Sequence, residues 1–436
     1  MAEKKFSELT AKGATIADTD IVAISESAGG GTYTSKSVTG ANIKALVTDA
    51  NMTTTDITTN DVSTSKHGFA PKAPNDTTKF LRGDATWAVV PAGGLTKFTE
   101  AEATTSPNNT VYVDSLTAAG STTNADIAIV PKGTGSILRQ IPDNTATGGN
   151  KRGANAIDLQ SLRTGATQVA SGTGSVILGG SGCTASGGYS IAGGDRGVAT
   201  GFSSVGLQNG QASGQYSFAF GARTYSQNDG AIAMSSDVYA DCIASGSNSF
   251  SSGPDNTASS TSSVALGGRS NKASGAYSYA FGYASNTFSI TGRQSRGYYN
   301  SATGDCQKSE FYLSVRTTGN TATTLTVAGG AASTNNQVIL SNQSAYRFKG
   351  TIIGKQSGST NASAWDVDGL IVRGANAAAT TLVVGNVNLV SNTPAWGTPT
   401  LAADTTNGGL RVQVTGAAAT NIQWTAVIET TEVIYA

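Results

Sequence analysis

The sequence predicts an all-β protein: a trimeric fibre with a small N-terminal adaptor, a β-roll or β-solenoid rod and a C-terminal β-sandwich. Three observations lead to this prediction. A short phrase recurs at nearly constant spacing in the middle of the chain. Glycine and small polar residues are abundant, while only 13% of the residues are charged. Residues 307–436 change to longer alternating segments, which is the pattern of half-buried strands.

The recurring phrase consists of a serine, an apolar residue, a small residue, a second apolar residue and a glycine. Its copies are Ser175–Gly179, Ser190–Gly194, a weaker Ser203–Gly206, Ser217–Gly221, a variant at Ala231–Ser235, Ser263–Gly267 and Ser278–Gly282. The steps between successive copies are short and nearly equal, with one break near Phe250 to Ser260. A fixed short period is the signature of a stacked repeat architecture.

Each repeat predicts two short strands and two tight turns, because a repeat this short cannot hold two helices. The phrase alternates with the period of a strand, and its glycine suits a corner with positive φ. Stacked coils would rise roughly 4.8 Å each. Coils this thin leave an apolar strip uncovered, which includes Phe218, Phe220, Tyr279 and Phe281. We therefore predict an obligate homotrimer, in which these strips meet around a threefold axis.

The chain divides into five predicted regions. Strands at Ile21–Ile24 and Tyr33–Val38 and a helix from Ala41 to Val47 indicate an adaptor within residues 1–50. The regions that follow are a linker with the KFLRGDATW module (51–94), a β-rich shaft (95–173), the repeat rod (174–290) and the β-sandwich tip (307–436). In the tip, strand-like segments with Gly and Asn turns predict a sandwich or a jelly roll.

Charge and hydropathy exclude several classes of partner. The chain has 28 basic and 28 acidic residues and no basic arm, so nucleic acid is not expected as a ligand. The N-terminal MAEKKFSELTAKG has no apolar segment after its lysines and is not expected to be a signal peptide. No apolar run approaches the ~20 residues of a membrane span. We expect a protein that is made in a cytoplasm and does not insert into a membrane.

The three cysteines, Cys183, Cys242 and Cys306, are odd in number and widely spaced. Such spacing predicts neither a disulfide framework nor a metal site. Free thiols commonly behave as small buried hydrophobic groups. The sequence therefore predicts buried free thiols.

Few residues suggest catalysis. The single histidine, His67, lies beside Gly68 in a linker-like segment, so a structural or exposed position is expected rather than a catalytic triad. Paired carboxylates cut polysaccharides, and the candidates in or near the rod are Asp195, Asp229, Asp237 and Asp241. Acidic residues are sparse there, and short coils leave little room for a groove. The sequence therefore predicts no enzyme activity, no catalytic or metal-binding residue and no cofactor.

Two acidic motifs allow alternative interpretations. Arg82-Gly83-Asp84 has the sequence of a cell-adhesion tripeptide, but a turn inside a fibre module explains it better. Asp366 and Asp368 would face the same side of a strand and could bind a cation. A turn before Gly369 is the preferred explanation for this pair.

Four large aromatic residues are predicted to bind a receptor: Trp365, Trp396, Trp424 and Tyr346. Aromatic side chains stack on sugars and dominate binding hot spots. Positions in the core of the sandwich remain the alternative for each of them. The loops Ser357–Trp365 and Asn392–Thr400 are predicted to present the contact, because inter-strand loops vary without disturbing a core.

Several stretches resemble fibre and appendage proteins of tailed phages. Lys79–Trp87 resembles their KFLRGDGTW segment, with Ala85 in place of the glycine. Residues 5–47 resemble their N-terminal module, and Asn150–Gln160 with Gln168–Gly172 resembles the lead-in to haemagglutinin-type repeats. The repeats themselves resemble the heads of trimeric autotransporter adhesins. Those bacterial adhesins carry a signal peptide and a membrane anchor, which are not expected here, so the resemblance favours a virion fibre.

The resemblance implies a homotrimeric tail fibre in the virion. Its N-terminus would attach to the phage tail or an adaptor protein, and its C-terminus would contact a glycan or protein of the host surface. Three alternatives stay open: a tailspike depolymerase, a bacterial surface adhesin, and a neck, head or tail appendage without receptor function.

Overall fold

The computed structural model describes residues 17–27, 30, 33–45, 74, 76–84, 86–89, 98–103, 113–119, 123–298 and 302–435. The chain forms two compact units, Met1–Ala128 and Ile129–Ala436. The described residues are almost entirely strands and turns, with one short α-helix. None of the helices described could cross a membrane, since none is long and apolar enough. The predicted all-β class is confirmed.

In the first unit, the described residues form three pairs of antiparallel strands. Their strands, and the helix, are β1 (Ile21–Ser27), β2 (Tyr33–Thr39), α1 (Gly40–Ala45), β3 (Lys79–Leu81), β4 (Trp87–Val89), β5 (Phe98–Ala103) and β6 (Val113–Ala118). The hydroxyl of Thr39 accepts a hydrogen bond from the amide of Asn42 at 3.3 Å, which caps the helix. His67 lies outside the described residues.

The second unit begins with a solenoid of short parallel strands. These are β7 (Ile137–Leu138), β8 (Ile157–Asp158), β9 (Val176–Ser181), β10 (Thr184–Ala185), β11 (Ile191–Asp195), β12 (Val198–Ala199), β13 (Val205–Leu207), β14 (Gln211–Ala212), β15 (Phe218–Phe220), β16 (Thr224–Ser226), β17 (Ile232–Met234), β18 (Cys242–Ala244), β19 (Phe250–Ser252), β20 (Thr257–Ala258), β21 (Val264–Arg269), β22 (Lys272–Ala273), β23 (Tyr279–Tyr283) and β24 (Gln294–Gly297). The even-numbered strands from β10 to β22 form a seven-stranded sheet, and the others belong to a sixteen-stranded sheet. The predicted solenoid is confirmed.

Each coil of the rod, which we define as β9 to β24, places its recurring phrase in the large sheet. The small residue of the phrase points inwards, and buried examples are Ala192, Ala219, Ala233, Ala265 and Ala280. The serine turns back and donates a hydrogen bond to the corner, as Ser217 does to the carbonyl of Gly214 at 2.7 Å. Gly221 has φ +104° and a Cβ there would lie 1.6 Å from the carbonyl oxygen of Ser235, so only glycine fits.

The break in the repeat lies earlier than the sequence predicted. Phe250 pairs with Ile232 on one side and Val264 on the other, so the segment from Phe250 is itself a regular coil. The longer step separates Ile232 from Phe250, and the extra residues project after Met234. The spacing was misread because β19 has serine where other copies carry their second apolar residue.

The far end of the chain forms the strands β25 (Cys306–Thr317), β26 (Ala322–Thr324), β27 (Val338–Ile339), β28 (Ser344–Gln356), β29 (Ala362–Arg373), β30 (Thr380–Thr393), β31 (Gly397–Asp404), β32 (Gly409–Thr415) and β33 (Ile422–Ile434). Short 3₁₀ turns span Val327–Gly329 and Ala377–Ala379. β25 pairs antiparallel with β24, so the large sheet continues from the rod into this C-terminal domain. β33, the last strand, lies between β25 and β28.

Buried residues of two sheets form one core in the C-terminal domain. The large sheet contributes Phe311, Trp365 and Trp424, and the four-stranded sheet contributes Leu410 and Val412. The classification of this region as a β-sandwich stays a prediction.

Each end of the solenoid contains a buried ion pair. At the N-terminal end, Arg152 and Arg163 both bond to Asp158, at 2.7 and 3.1 Å. At the other end, Arg293 pairs with Glu432 of the last strand. Because buried charges need partners, these pairs fix which segments can close the ends of the solenoid.

Candidate functional site

The four aromatic residues predicted to bind a receptor lie inside the C-terminal domain. Trp365, Trp396, Trp424 and Tyr346 are all buried. The ring of Trp424 lies 6.0 Å from that of Trp365 and 5.4 Å from that of Trp396. Burial raises the pKa of Tyr346 to about 12. The side chains occupy the core positions that the sequence left as the alternative, and their receptor role stays a prediction.

The two predicted recognition loops meet in the structure. The hydroxyl of Ser363 donates to the side-chain oxygen of Asn392 at 2.7 Å, and the amide of Trp396 donates to the same oxygen at 2.8 Å. Part of each loop belongs to a strand, because β29 begins at Ala362 and β31 at Gly397. The exposed part is therefore shorter than the sequence suggested.

The four acidic candidates of the rod are engaged separately. The contacts join Asp195 to Arg196 (3.0 Å), Asp241 to Arg223 (2.7 Å), Asp229 to the amide of Gln215 (2.9 Å) and Asp237 to the amide of Tyr239 (2.7 Å). Across the described ranges, no group of three or more His, Cys, Asp or Glu side chains could hold a metal ion.

The other acidic motifs are also engaged locally. Asp84 accepts hydrogen bonds from the hydroxyl and amide of Thr86, which lower the pKa of its carboxyl, and the motif forms a turn between β3 and β4. Asp366 and Asp368 both lie within β29 rather than bracketing a turn. They accept hydrogen bonds from Thr351 at 3.2 Å and Arg347 at 2.9 Å. The turn preferred for this pair is wrong, because the strand continues through Gly369.

The cysteines are free thiols. Cys183 is buried between β9 and β10, Cys242 is buried at the start of β18, and burial raises the pKa of both thiols. Cys306, at the start of β25, is partly exposed. The prediction of buried thiols is confirmed for Cys183 and Cys242. It is wrong for Cys306, which is only partly buried.

The outer face of the large sheet carries many of the large apolar side chains of the rod. They form two rows, one of Val176, Ile191, Val205, Phe218, Ile232, Phe250, Val264 and Tyr279, and one of Leu178, Leu207, Phe220, Met234, Leu266 and Phe281. Every member is at least partly exposed. Contiguous apolar surface of this kind marks an interaction site. We call these two rows the apolar face.

The same side of the sheet becomes charged in the C-terminal domain. Strand pairing places one residue of each successive strand side by side on this face: Gln294, Glu310, Glu429, Lys349, Asp368 and Asn386. Glu429 bonds to Lys308 at 2.8 Å and Lys349 at 3.5 Å. The hydrogen bond from Lys308 lowers the pKa of Glu429. Two lysines of neighbouring strands thus share one carboxylate on this face.

A groove of about 750 Å³ borders the apolar face at the long coil. The coil from Ile232 to Phe250 projects outwards after Met234, and Ser236 and Val238 of this projection line one side. Phe220, Gln208 and Asp195 come from preceding coils. The sequence predicted little room for a groove in the rod, and the projecting coil provides this room. The wider spacing between two phrases indicated this projection, but the sequence prediction placed the wider spacing one coil too late.

Comparison with known proteins gives only remote likenesses. No protein-family model matches the chain, and no curated protein is similar to it. A tailspike protein, gp49 from Acinetobacter baumannii bacteriophage Fri1, a capsular polysaccharide depolymerase, is 10% identical with a TM-score of 0.21, over 64% of this chain and 44% of that one. The Acinetobacter phage vB_ApiP_P1 tailspike protein is 8% identical with a TM-score of 0.17, over 69% of this chain and 80% of that one. The chain thus spans less than half the length of the first neighbour.

One prediction is corrected by this comparison. The sequence predicted that the protein is not an enzyme, whereas the first neighbour is named as a capsular polysaccharide depolymerase. The prediction of no enzyme activity is therefore withdrawn. Likenesses this remote do not by themselves assign an activity to this chain.

Proposed function

We propose that the protein is a homotrimeric appendage of a tailed phage that binds the host surface. Its N-terminal residues dock on the tail or an adaptor protein, and its C-terminal domain contacts a glycan or protein of the host. The observation that carries this proposal is the rod, which has alanines inside and two rows of large apolar side chains outside. The KFLRGDATW segment and the lead-in to the repeats support a phage origin.

The energetics of the apolar face support the proposed trimer. Fully burying a large aliphatic or aromatic side chain stabilises by about 1.5–3 kcal/mol, and the two rows hold fourteen large apolar side chains. A partner identical to the chain presents the same rows at the same coil spacing. A closed ring of copies can therefore cover the face along the rod except where the long coil projects, and the resemblance to trimeric adhesin heads favours three.

Native mass spectrometry tests the assembly. We expect the mass of a trimer at micromolar concentration, and monomer for Phe218→Asp, which places a charge in the face. Phe202→Asp, at an exposed corner, is the matched control and should remain trimeric. A folded wild-type monomer would overturn the trimer.

Location and binding are tested on particles and cells. Antibody against the C-terminal domain should label the tail in electron micrographs, whereas neck or head labelling would favour the appendage alternative. Fluorescent full-length trimer should stain host cells and reduce phage adsorption when present in excess. An unstained host would overturn the host-binding role. Release of reducing sugar ends from the host envelope would assign polysaccharide cleavage as well.

A further inference from the structure

The long coil is an insertion into an otherwise regular rod. The paired positions Val176, Ile191, Val205, Phe218, Ile232, Phe250, Val264, Tyr279 and Gln294 mark the same point of successive coils. The step from Ile232 to Phe250 is the longest, and the steps on either side of it are equal to each other and shorter. Insertions in repeat proteins form loops on one face, which is often the binding face.

The inserted loop exposes apolar side chains while holding a defined shape. Val238 is 57% exposed and Tyr239 is 89% exposed. Asp237 accepts a hydrogen bond from the amide of Tyr239 at 2.7 Å, and Asp241 bonds to Arg223 at 2.7 Å. The first bond closes a turn within the loop, and the second ties the end of the loop to the preceding coil. The exposed side chains of the loop are not needed for the core of the coil.

The groove beside this loop has the size and lining of a small-ligand site. Its volume of about 750 Å³ lies within the range of roughly 300–1,000 Å³ that is usual for such sites. Phe220 and Val238 give apolar surface, while Gln208 and Ser236 give amide and hydroxyl groups. Asp195 and Arg196 line it as an ion pair and are its charged residues, so the lining has no net charge.

We propose that this groove binds an uncharged oligosaccharide. A pyranose ring has C–H faces that pack on apolar side chains and hydroxyl groups that bond to amides and hydroxyls, which matches the lining. A charged sugar would find no unpaired charge of opposite sign in the lining. The proposal rests on the host-binding function proposed above and places a glycan contact on the rod, in addition to the C-terminal domain.

A second copy of the chain is the competing occupant. Phe220 and Met234 belong to both the groove and the apolar face, so binding of a sugar requires that the trimer leaves these two side chains open at the long coil. A groove filled by another copy would leave no space for a sugar. The experiment must therefore measure both ligand binding and the mass of the oligomer for the same variants.

The sharpest variant deletes Asp237–Ala240. The deletion removes the excess of this coil over its two neighbours and makes all three equally long, so the rod should fold as before. Ser236→Trp fills the groove without shortening the chain, and Ser186→Trp at the opposite corner is its control. Both serines are exposed, so neither change disturbs the alanine interior.

Saturation-transfer NMR on the full-length protein measures binding of maltohexaose, chitohexaose and an acidic sialic acid oligomer. We expect wild type and Ser186→Trp to bind an uncharged oligomer, and the deletion and Ser236→Trp to bind about tenfold more weakly, equivalent to about 1.4 kcal/mol. All four proteins should have the mass of a trimer.

Three outcomes would overturn the inference: binding of neither uncharged oligomer, equal binding by the deletion variant, or loss of the trimer in Ser236→Trp. Staining of host cells separates this failure from failure of the proposed function. If the deletion variant stains cells as wild type does and binds sugar equally, the groove is not the site but the host-binding function stands. If wild type stains no cells, the proposed function itself fails.

Discussion

The rod and the C-terminal domain share one continuous sheet but sort their side chains in opposite ways. In the rod, alanines such as Ala219 and Ala233 face inwards while Phe218 and Ile232 face outwards. In the C-terminal domain, Trp424 and its neighbours face inwards, and the outer face carries charged side chains such as Glu429 and Lys349 beside exposed apolar ones such as Tyr312 and Ile353. The change from apolar to charged side chains on the outer face begins between β24 and β25. In the backbone register of these strands, Arg296 lies opposite Lys308 and Gln294 lies opposite Glu310.

Because of this difference, the C-terminal domain and the rod are stabilised in different ways. The C-terminal domain has a core that several large side chains share, as independently stable domains do. The rod obtains little hydrophobic stabilisation from buried methyl groups, and its corners are held chiefly by backbone and serine hydrogen bonds. We therefore expect the rod, unlike the C-terminal domain, to depend on the proposed partner for its apolar face. Substitutions in the two regions should reveal this contrast.

The largest effect is expected for Trp424→Ala in the C-terminal domain. Removing a buried tryptophan costs about 3–5 kcal/mol, because a cavity adds to the lost transfer free energy. Its indole also donates to the hydroxyl of Thr317 at 2.9 Å. Urea unfolding followed by tryptophan fluorescence measures the change, with Trp424→Phe as the milder control. Unchanged stability with lost host-cell staining would instead favour the receptor role predicted for this residue.

The second effect concerns the junction of the two regions. Arg293 is fully buried, lies between the rings of Phe288 and Phe311 at 5.2 and 5.3 Å, and pairs with Glu432. Glu432→Leu leaves this arginine without its partner and should destabilise by about 3 kcal/mol or more. The double variant Arg293→Met with Glu432→Leu should recover most of that loss. Equal unfolding free energies for the single and double variants would show that the pair is not what joins rod and domain.

A third test exploits the thin interior of the rod. Ala233→Leu inserts a large side chain between the two sheets and should destabilise by about 1–3 kcal/mol. Ile232→Leu, one residue earlier and pointing outwards, conserves volume and should cost less. Hydrogen exchange of the rod measures both. If the two variants behave alike, the inside and outside of the coil have been assigned the wrong way round.

The sequence predicted this contrast only in part. The period and the small residue of each phrase predicted the coils and the uncovered strip around Phe218, since both are local properties of the chain. The fate of Trp365 and Trp424 depends on which side of a long strand faces the second sheet, and the sequence left core and surface as alternatives. The groove was missed because Phe250-Ser251-Ser252 departs from the phrase, although the backbone pairs as in other coils.

The smallest effect should come from the charged outer face of the C-terminal domain. Arg347 and Asp368 bond at 2.9 Å across β28 and β29, and both side chains are partly exposed. In water such a pair contributes about 0–1 kcal/mol, and salt weakens it further. A double-mutant cycle with Arg347→Ala and Asp368→Ala, measured by urea unfolding at low and high salt, gives the coupling free energy. We expect a coupling free energy of less than about 1 kcal/mol at low salt and a smaller value at high salt.

A coupling of several kcal/mol that salt does not reduce would mean that another copy of the chain covers this face. The contrast would then be between an apolar and a charged part of a single subunit contact, rather than between a covered rod and an open domain.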